Sequence, residues 1–404
     1  MMRAMASSRL AWVTYDFGNT AIEFVVALYL GPWLLLDRHL SPRTYGVLFA
    51  LVSWGIVGTA PYVGVAIDRW GRAGQVFRGA TLASAVLLGC LSAFPEEPAW
   101  NATLLLTAGI GLYLFAVAAI VYNSAMRRAT GSDGSVLYTS AVGTAFSYCG
   151  GVIGIALIAA IAGGGRAFVV GARRYAFLWG AVFFFVSAIP ALLSRQLWRA
   201  PEGGAHMISR GAPWRMVLGG VALRRLSIGY VLSNMCIVGM LLYVPMYLRE
   251  RGYSSNEVVL WFIWGAVCAG VGAVSAFVWA KYPGEKSLLW GAIGACAVGA
   301  ALFGISGRGW AVAATIGLES AAAGAFLAGI RAAFAKTLPP AEQASGFGVV
   351  GSLQRVSGGL GALFVPLLMR NGAEFGIWPV LGCAACGTAG AIWLAAAGRD
   401  DRVG

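Results

Sequence analysis

Long apolar runs fill most of the chain and alternate with short stretches rich in charge, proline and glycine. A helix needs about 20 mostly apolar residues to cross a bilayer, and twelve runs have the required length. They cover residues 12–36, 44–67, 75–94, 103–122, 136–162, 175–193, 225–248, 258–280, 287–305, 310–335, 344–369 and 375–397. No run shows the alternation typical of a soluble strand. The pattern predicts an all-α integral membrane protein with twelve transmembrane helices.

The composition excludes an ordinary soluble protein. Of 404 residues, 59% are apolar and 11% charged, and the mean hydropathy is +0.76; soluble domains average about 45–50% apolar and about 25% charged. Most of the 57 glycines lie inside the apolar runs, without a collagen period, which favours close helix packing in lipid. The net charge of +13 is scattered between the runs. It therefore indicates a lipid bilayer and not nucleic acid as the partner.

The distribution of basic residues predicts the orientation. If both termini are cytoplasmic, nineteen of the 29 lysines and arginines lie on the inner side, nine on the outer side and one within a run. Cytoplasmic loops carry such an excess. The basic start is not followed by a small-residue cleavage site, so the first run is expected to remain as a helix. We expect a multi-pass protein with cytoplasmic termini, in the plasma membrane if the source is prokaryotic.

The longest polar stretch divides the chain near its middle. It predicts a six-helix half over residues 1–194, a cytoplasmic linker over 195–224 and a second six-helix half over 225–404. YLGPWL at the end of the first run is echoed by YVPMYL at the end of the seventh, with Pro32 opposite Pro245. Two pseudo-symmetric repeats are an architecture of secondary transporters. Chance similarity between two apolar helices remains the alternative.

The turn after the second run reads GVAIDRWGR, from Gly64 to Arg72. This run resembles the G-x-x-x-D-R-x-G-R signature of the major facilitator superfamily. Two glycines permit close backbone approach and a tight turn, and an acid at a helix end between arginines can form an ion-pair and helix-terminus lock. The predicted conformational gate consists of Gly64, Asp68, Arg69, Gly71 and Arg72. An ordinary basic inner loop is the alternative, and AKYPGEK, the matching turn of the second half, lacks the acid.

Three shorter motifs resemble one branch of that superfamily, the vacuolar amino-acid effluxers and their prokaryotic members. The motifs are WVTYDFGNT in the first run, VYNSA at the end of the fourth, and IRAAFAKTLPP with ASGFGVVG around the eleventh. Ser345 replaces an acidic residue of the branch, and Ile330 and Ala332 replace two serines. The resemblance implies an amino acid as the first solute to test.

Polar residues within the first run recur at helical spacing. Asp16, Asn19, Thr20 and Glu23 fall on one face of a helix, and Glu23 lies about 16 Å from the inner edge. Charges inside a bilayer are tolerated mainly toward a cavity or a partner. We therefore expect Asp16, Asn19 and Glu23 to bind the solute or an ion. For Asp16, a position at the inner interface is the alternative.

The second half contributes two buried charges at similar depth. Glu319 lies about 14 Å and Arg355 about 16 Å from the inner edge. Either the two neutralise one another as a structural pair, or Arg355 anchors an anionic group while Glu23 or Glu319 receives an ammonium group or a coupling proton. Asn234 and Gln354 can add amide hydrogen bonds.

These features predict a secondary transporter that moves a small polar solute by alternating access, acting as a monomer. No phosphate-binding loop, nucleophile elbow or histidine–cysteine cluster is present in the sequence, so we expect no enzyme activity, cofactor or metal. Cys383 and Cys386 form a C-x-x-C pair, for which packing of small residues is favoured over redox or metal chemistry. A transporter-like receptor or scaffold that does not cycle is the alternative function.

Overall fold

The computed structural model describes residues 2–131, 135–163, 173–198, 213–282, 284–307, 309–368 and 377–400. Helices joined by turns make up these residues, with no strand among them. The twelve long helices are α1 (Met2–Val25), α2 (Pro42–Trp70), α3 (Ala73–Cys90), α4 (Asn101–Ser124), α5 (Val136–Gly163), α6 (Arg173–Leu193), α7 (Val221–Glu250), α8 (Ser255–Lys281), α9 (Glu285–Ile305), α10 (Trp310–Thr337), α11 (Gln343–Leu368) and α12 (Trp378–Asp400).

The helices confirm the predicted all-α membrane architecture. In the described ranges, eleven of them are long and apolar enough to cross a membrane, and α11, with 26 residues, occupies the remaining position of the twelve. The predicted linker lies partly outside the described residues. Residues 199–212 lie outside the described part, a short helix covers Pro213–Gly219, and α7 begins at Val221, four residues before the predicted start.

Local sequence explains where several helices begin, end or widen. The side chain of Ser41 accepts a hydrogen bond from the Thr44 amide at the start of α2, and Gly71 ends α2 in the left-handed region with φ 64°. Ser254 and Glu257 form a capping box at the start of α8. Pro32 lacks an amide donor, and wider π turns flank it over Val26–Leu30 and Trp33–Asp37.

The chain divides into two compact units. The first consists of Met1–Ser135, Phe146–Pro213 and Pro339–Ser352, and the second of Val136–Ala145, Trp214–Leu338 and Leu353–Gly404. Thus α5 and α11 each contribute their first residues to one unit and the rest to the other. The predicted boundaries at residues 194 and 225 stay a prediction.

Each unit has the same internal packing. In the first, α1 packs against α6, α3 against α4 and α6, and α2 against α4. In the second, α7 packs against α12, α9 against α10 and α12, and α8 against α10. Glycines allow the tightest crossings: a Cβ on Gly150 would collide with the Phe17 carbonyl, and one on Gly272 with the Ala321 carbonyl. The repeated packing is that of two pseudo-symmetric halves.

A pair of arginines extends the repeat beyond Pro32 and Pro245. The same shift of 213 positions places Arg38 on Arg251. Arg38 donates to the carbonyls of Phe94 at 3.0 Å and Pro95 at 2.5 Å, where α3 has ended. Arg251 donates to the carbonyls of Gly304 and Gly307, both at 3.3 Å, and of Ser306 at the end of α9. Each half therefore caps the end of its third helix with an arginine that follows its first helix.

Replacing Arg251 by alanine is expected to destabilise the protein by about 2 kcal/mol, because hydrogen bonds to a charged donor are lost and carbonyls at the end of α9 lose their partner. Arg38→Ala should have a similar effect. Thermal unfolding in detergent measures both changes. Arg43→Ala, which removes an exposed arginine at the start of α2, is the matched control and should leave the unfolding temperature nearly unchanged. Equal shifts in all three variants would contradict the capping role.

Candidate functional site

The polar face of α1 is partly packed and partly open. The Asn19 amide donates to Glu23 Oε1 at 3.3 Å, which confirms that these two residues share a face. Asp16 and Asn19 are buried, whereas Glu23 is exposed. The hydroxyls of Thr20 and Ser147 are hydrogen-bonded, so this part of the face lies against α5. In the described ranges Asn19 Oδ1 is buried without a hydrogen-bond partner. The first unit thus presents two groups one helical turn apart: the side-chain oxygen of Asn19, which can accept a hydrogen bond, and the carboxylate of Glu23.

Glu319 is a buried carboxylate in α10 that only neutral groups contact. The Cys296 thiol of α9 lies 3.5 Å from Oε1, and the Ser320 hydroxyl donates to Oε2 at 3.3 Å. A Cβ on Gly299 would press against the backbone of Glu319, so α9 and α10 approach closely here. Among the described residues no basic side chain pairs with Glu319. The structure therefore does not show the structural pair with Arg355 that the sequence left open.

Asn234, Gln354 and Arg355 lie where α7 meets α11 in the second unit. The buried Asn234 amide donates to the Ser357 hydroxyl at 2.6 Å and to the Gln354 carbonyl at 3.5 Å. The Gln354 side chain is exposed, and Arg355 is half-buried and close enough to Tyr230 of α7 for an electrostatic interaction. Asn234 therefore ties two helices together, with Arg355 near α7 as well and the Gln354 side chain exposed.

The first unit contains the predicted gate. Asp68 accepts hydrogen bonds from the amides of Ala344 at 3.1 Å and Ser345 at 2.7 Å, both at the start of α11. These amides have no partner within their own helix and carry a partial positive charge. Gly64 is required for the contact, because a Cβ there would overlap the Ala344 carbonyl and the Ser345 backbone. The helix-terminus contact of the predicted lock is thus present.

The contacts of Arg69 and Arg72 differ from the predicted ion pair. Arg69 and Arg72 are exposed, and in the described part of the chain neither forms a salt bridge with Asp68. The basic group near Asp68 is Arg128, which follows α4 and donates to the Leu197 carbonyl at 3.0 Å. Burial lowers the pKa of the Arg128 guanidinium, and the Asp68 carboxylate opposes that shift. Arginine remains charged at neutral pH, so Arg128 is the cation that interacts electrostatically with the Asp68 carboxylate.

Sequence reasoning missed Arg128, Cys296 and Arg331 as contact residues. Arg331 of α10 donates to the hydroxyls of Ser140 and Thr144 in α5. In the sequence, Arg128 and Arg331 stand out only as basic residues of the inner side, and a thiol carries no signal that it faces a carboxylate. All seven cysteines are free, with Cys383 buried and Cys386 partly exposed. In the described ranges no three histidine, cysteine or acidic side chains are grouped for a metal ion.

The family model described as Major Facilitator Superfamily matches residues 16–362. The chain belongs to the major facilitator superfamily. This membership, together with the helices, makes it a multi-pass membrane transporter and not an enzyme. No curated protein matches the chain significantly.

Solved structures of other transporters have the same fold. The E. coli fucose:proton symporter FucP has a TM-score of 0.73 at 12% identity, covering 97% of this chain and 98% of that protein. A bacterial homologue of the iron transporter ferroportin, in an outward-facing state, has a TM-score of 0.72 at 16% identity, with coverages of 98% and 99%. The human organic anion transporter TETRAN has a TM-score of 0.67 at 17% identity, with 98% of both chains covered. At these identities the likeness concerns the fold. The effluxer branch stays a prediction.

Proposed function

We propose that this superfamily member is a secondary active transporter that carries a small polar solute, with amino acids as the first class to test. The observation that carries the proposal is Glu319, a buried carboxylate without a basic partner among the described residues. An ionised carboxylate in a bilayer costs several kcal/mol, so the site is stable when a proton or a cationic group neutralises it. Such a group is a coupling proton or the ammonium group of the solute.

Arg355 is the proposed anchor for an anionic group of the solute. It is half-buried in a helix that crosses the membrane, and a guanidinium presents paired donors that match a carboxylate. The neighbouring Gln354 adds an exposed amide. Asp16, Asn19 and Glu23 of the first unit are proposed as further solute- or ion-binding residues. Within the second unit, Arg355 and Glu319 carry opposite charges, which suit a solute with both charges, such as a zwitterionic amino acid.

Asp68 and its glycines are proposed to stabilise one access state. The contact between Asp68 and the start of α11 depends on two hydrogen bonds and a glycine crossing, so a small displacement of α11 would break it completely. Alternating access requires contacts that exist in one state and are absent in the other.

We further propose that the termini are cytoplasmic, that the protein acts as a monomer, and that its membrane is the plasma membrane if the source is prokaryotic.

A thermal-stability screen of the purified protein against amino acids, small peptides and sugars tests the solute class. A true ligand raises the unfolding temperature by mass action, and we expect Arg355→Ala to abolish that shift for the amino-acid hit. Uptake of the same compound into proteoliposomes then separates a carrier from a non-cycling receptor or scaffold. Binding without uptake would favour the receptor, and an amino-acid hit that survives Arg355→Ala would reject Arg355 as the anchor.

A further inference from the structure

Three buried thiols lie around Glu319 inside the second unit. Cys296 of α9 and Cys236 of α7 are fully buried, and Cys383 of α12 is nearly so. The Cys296 thiol donates to Glu319 Oε1 at 3.5 Å, and it is also hydrogen-bonded to Cys236. Cys383 is close enough to Glu319 and to Cys236 for electrostatic interactions. The titratable neighbours of this carboxylate on α7, α9 and α12 are therefore thiols.

The fourth helix around this part of α10 adds another thiol. α8 packs against α10, and there a Cβ on Gly317 would lie 3.4 Å from the Cys268 sulfur. Glu319 is two residues further along α10, so its side chain leaves the helix on the opposite side. In the described part of the chain, no charged side chain contributes to the environment of Glu319. Its hydrogen-bonding partners alone can therefore adjust the balance between its charged and neutral forms.

Glycine crossings fix the positions of two of these thiols. A Cβ on Gly299 would lie 2.8 Å from the Glu319 nitrogen, so the backbones of α9 and α10 touch. Cys296 is three residues before Gly299 and nearly on the same face of α9, which places its thiol at the carboxylate. A Cβ on Gly387 would lie 3.0 Å from the Cys236 sulfur, so α12 holds Cys236 in the same way. Serine and alanine are no larger than cysteine and leave these crossings intact.

A thiol differs from a hydroxyl in the strength of the hydrogen bond that it donates. The S–H group is a weak donor and the sulfur a weak acceptor, whereas a hydroxyl donates a strong hydrogen bond to a carboxylate. Because the Cys296 hydrogen points to Glu319, Cys236 donates to the Cys296 sulfur and strengthens its S–H group as a donor. The Ser320 hydroxyl contacts the other carboxylate oxygen. Stabilisation of a charge on Oε1 therefore depends on the two thiols in series.

We propose that Cys296 is a positioning residue that sets how readily Glu319 gains and releases a proton, with Cys236 acting through it. The proposal deepens the proposed function of Glu319 and rests on it. An ionised carboxylate in a bilayer is costly, and a weak donor offsets only part of that cost. Glu319 therefore keeps a proton until another cation replaces it or the pH rises. The competing interpretation is that Cys296 is a small apolar packing residue.

An infrared titration of the reconstituted protein tests the proposal without a known solute. Protonated and ionised carboxyl groups absorb at different frequencies, and the titrating band that Glu319→Gln removes belongs to Glu319. Cys296→Ser supplies a stronger donor, so the protonated band should vanish about one pH unit lower than in the wild type. Cys296→Ala lacks a donor and should shift this loss about one pH unit higher. One unit corresponds to the gain or loss of about one hydrogen bond.

Two further variants make the titration specific. Cys236→Ala keeps the Cys296 thiol but removes the donor to its sulfur, so it should shift the titration in the direction of Cys296→Ala and by less. It also decides the question if a Cys296 variant does not fold. Cys268→Ser is the matched control, because it makes the same exchange on α8, which packs against another face of α10. It should leave the titration of Glu319 unchanged.

Opposite shifts in the two Cys296 variants would support the proposal, because packing does not depend on donor strength. Shifts in the same direction, or none, would overturn it. A titration in which Glu319→Gln removes no band would overturn it as well, since Glu319 would then not change its protonation. Absence of flux for every solute in the wild-type protein would instead count against the proposed transport function, because the infrared shifts do not depend on flux.

Discussion

Asp68→Asn is expected to slow solute uptake into proteoliposomes about tenfold and to speed amide exchange at the start of α11. The carboxylate accepts one backbone hydrogen bond on each oxygen. Asparagine offers one oxygen, and its amide nitrogen would face a second donor. The charge that complements the helix N-terminus and Arg128 is lost too. Hydrogen bonds to charged groups contribute about 1.5–3 kcal/mol, enough to depopulate the state that Asp68 stabilises.

The direction of the effect follows from the transport cycle. A carrier must visit both access states, so a variant that strongly favours one of them turns over more slowly even when its solute site is intact. Solute binding, measured by thermal stabilisation, should therefore persist in Asp68→Asn. This combination of retained binding and reduced uptake distinguishes a gate from a binding residue.

Arg69→Ala provides the control for charge in the same turn. Arg69 is exposed and, among the described residues, forms no hydrogen bond or ion pair with Asp68, so its loss should alter uptake by less than about twofold. Equal defects in the Asp68 and Arg69 variants would contradict the helix-terminus contact and favour an unspecific effect of loop charge.

The contacts of Asp68 were predictable from the sequence only in part, for a physical reason. Gly64 and Asp68 carry a recognisable spacing because one must be small and the other acidic. Their partners are the backbone amides of Ala344 and Ser345, which every residue except proline possesses. A side-chain pattern cannot reveal a backbone partner 276 positions away. The neighbouring arginines drew the prediction toward Arg69 and Arg72, although charged side chains beside an acid often point to water.

The twelve helices were predictable because a bilayer demands length and hydrophobicity, and both properties can be measured directly in a window of about 20 residues. Helix faces were less predictable. Asn19 and Glu23 share a face as their spacing indicated, but Thr20 of that face is hydrogen-bonded to Ser147 of α5. Likewise the residue count places Glu319 and Arg355 at similar depth, and they do not pair in the described part of the chain, since depth gives only one coordinate and the rotation of each helix decides the contacts.

Glu319→Gln is expected to lower concentrative uptake of the solute by at least about tenfold while the protein still folds. Glutamine has nearly the same shape and can keep the contacts with Cys296 and Ser320, but it cannot ionise. If Glu319 takes up the coupling proton, exchange of internal for external solute persists in the variant, because exchange needs no change in protonation. If Glu319 binds an ammonium group, exchange is lost together with uptake.

Glu23→Gln and Ser320→Ala make this experiment specific. Glu23 is exposed on α1, so its variant tests the other carboxylate that the sequence placed at this depth. Ser320→Ala removes one donor to Glu319 and keeps the carboxylate, so concentrative uptake should continue at a reduced rate. The comparison uses proteoliposomes with and without an imposed pH gradient. Uptake by Glu319→Gln that still follows the pH gradient would show that the driving proton binds elsewhere, because no titratable group would then remain at position 319.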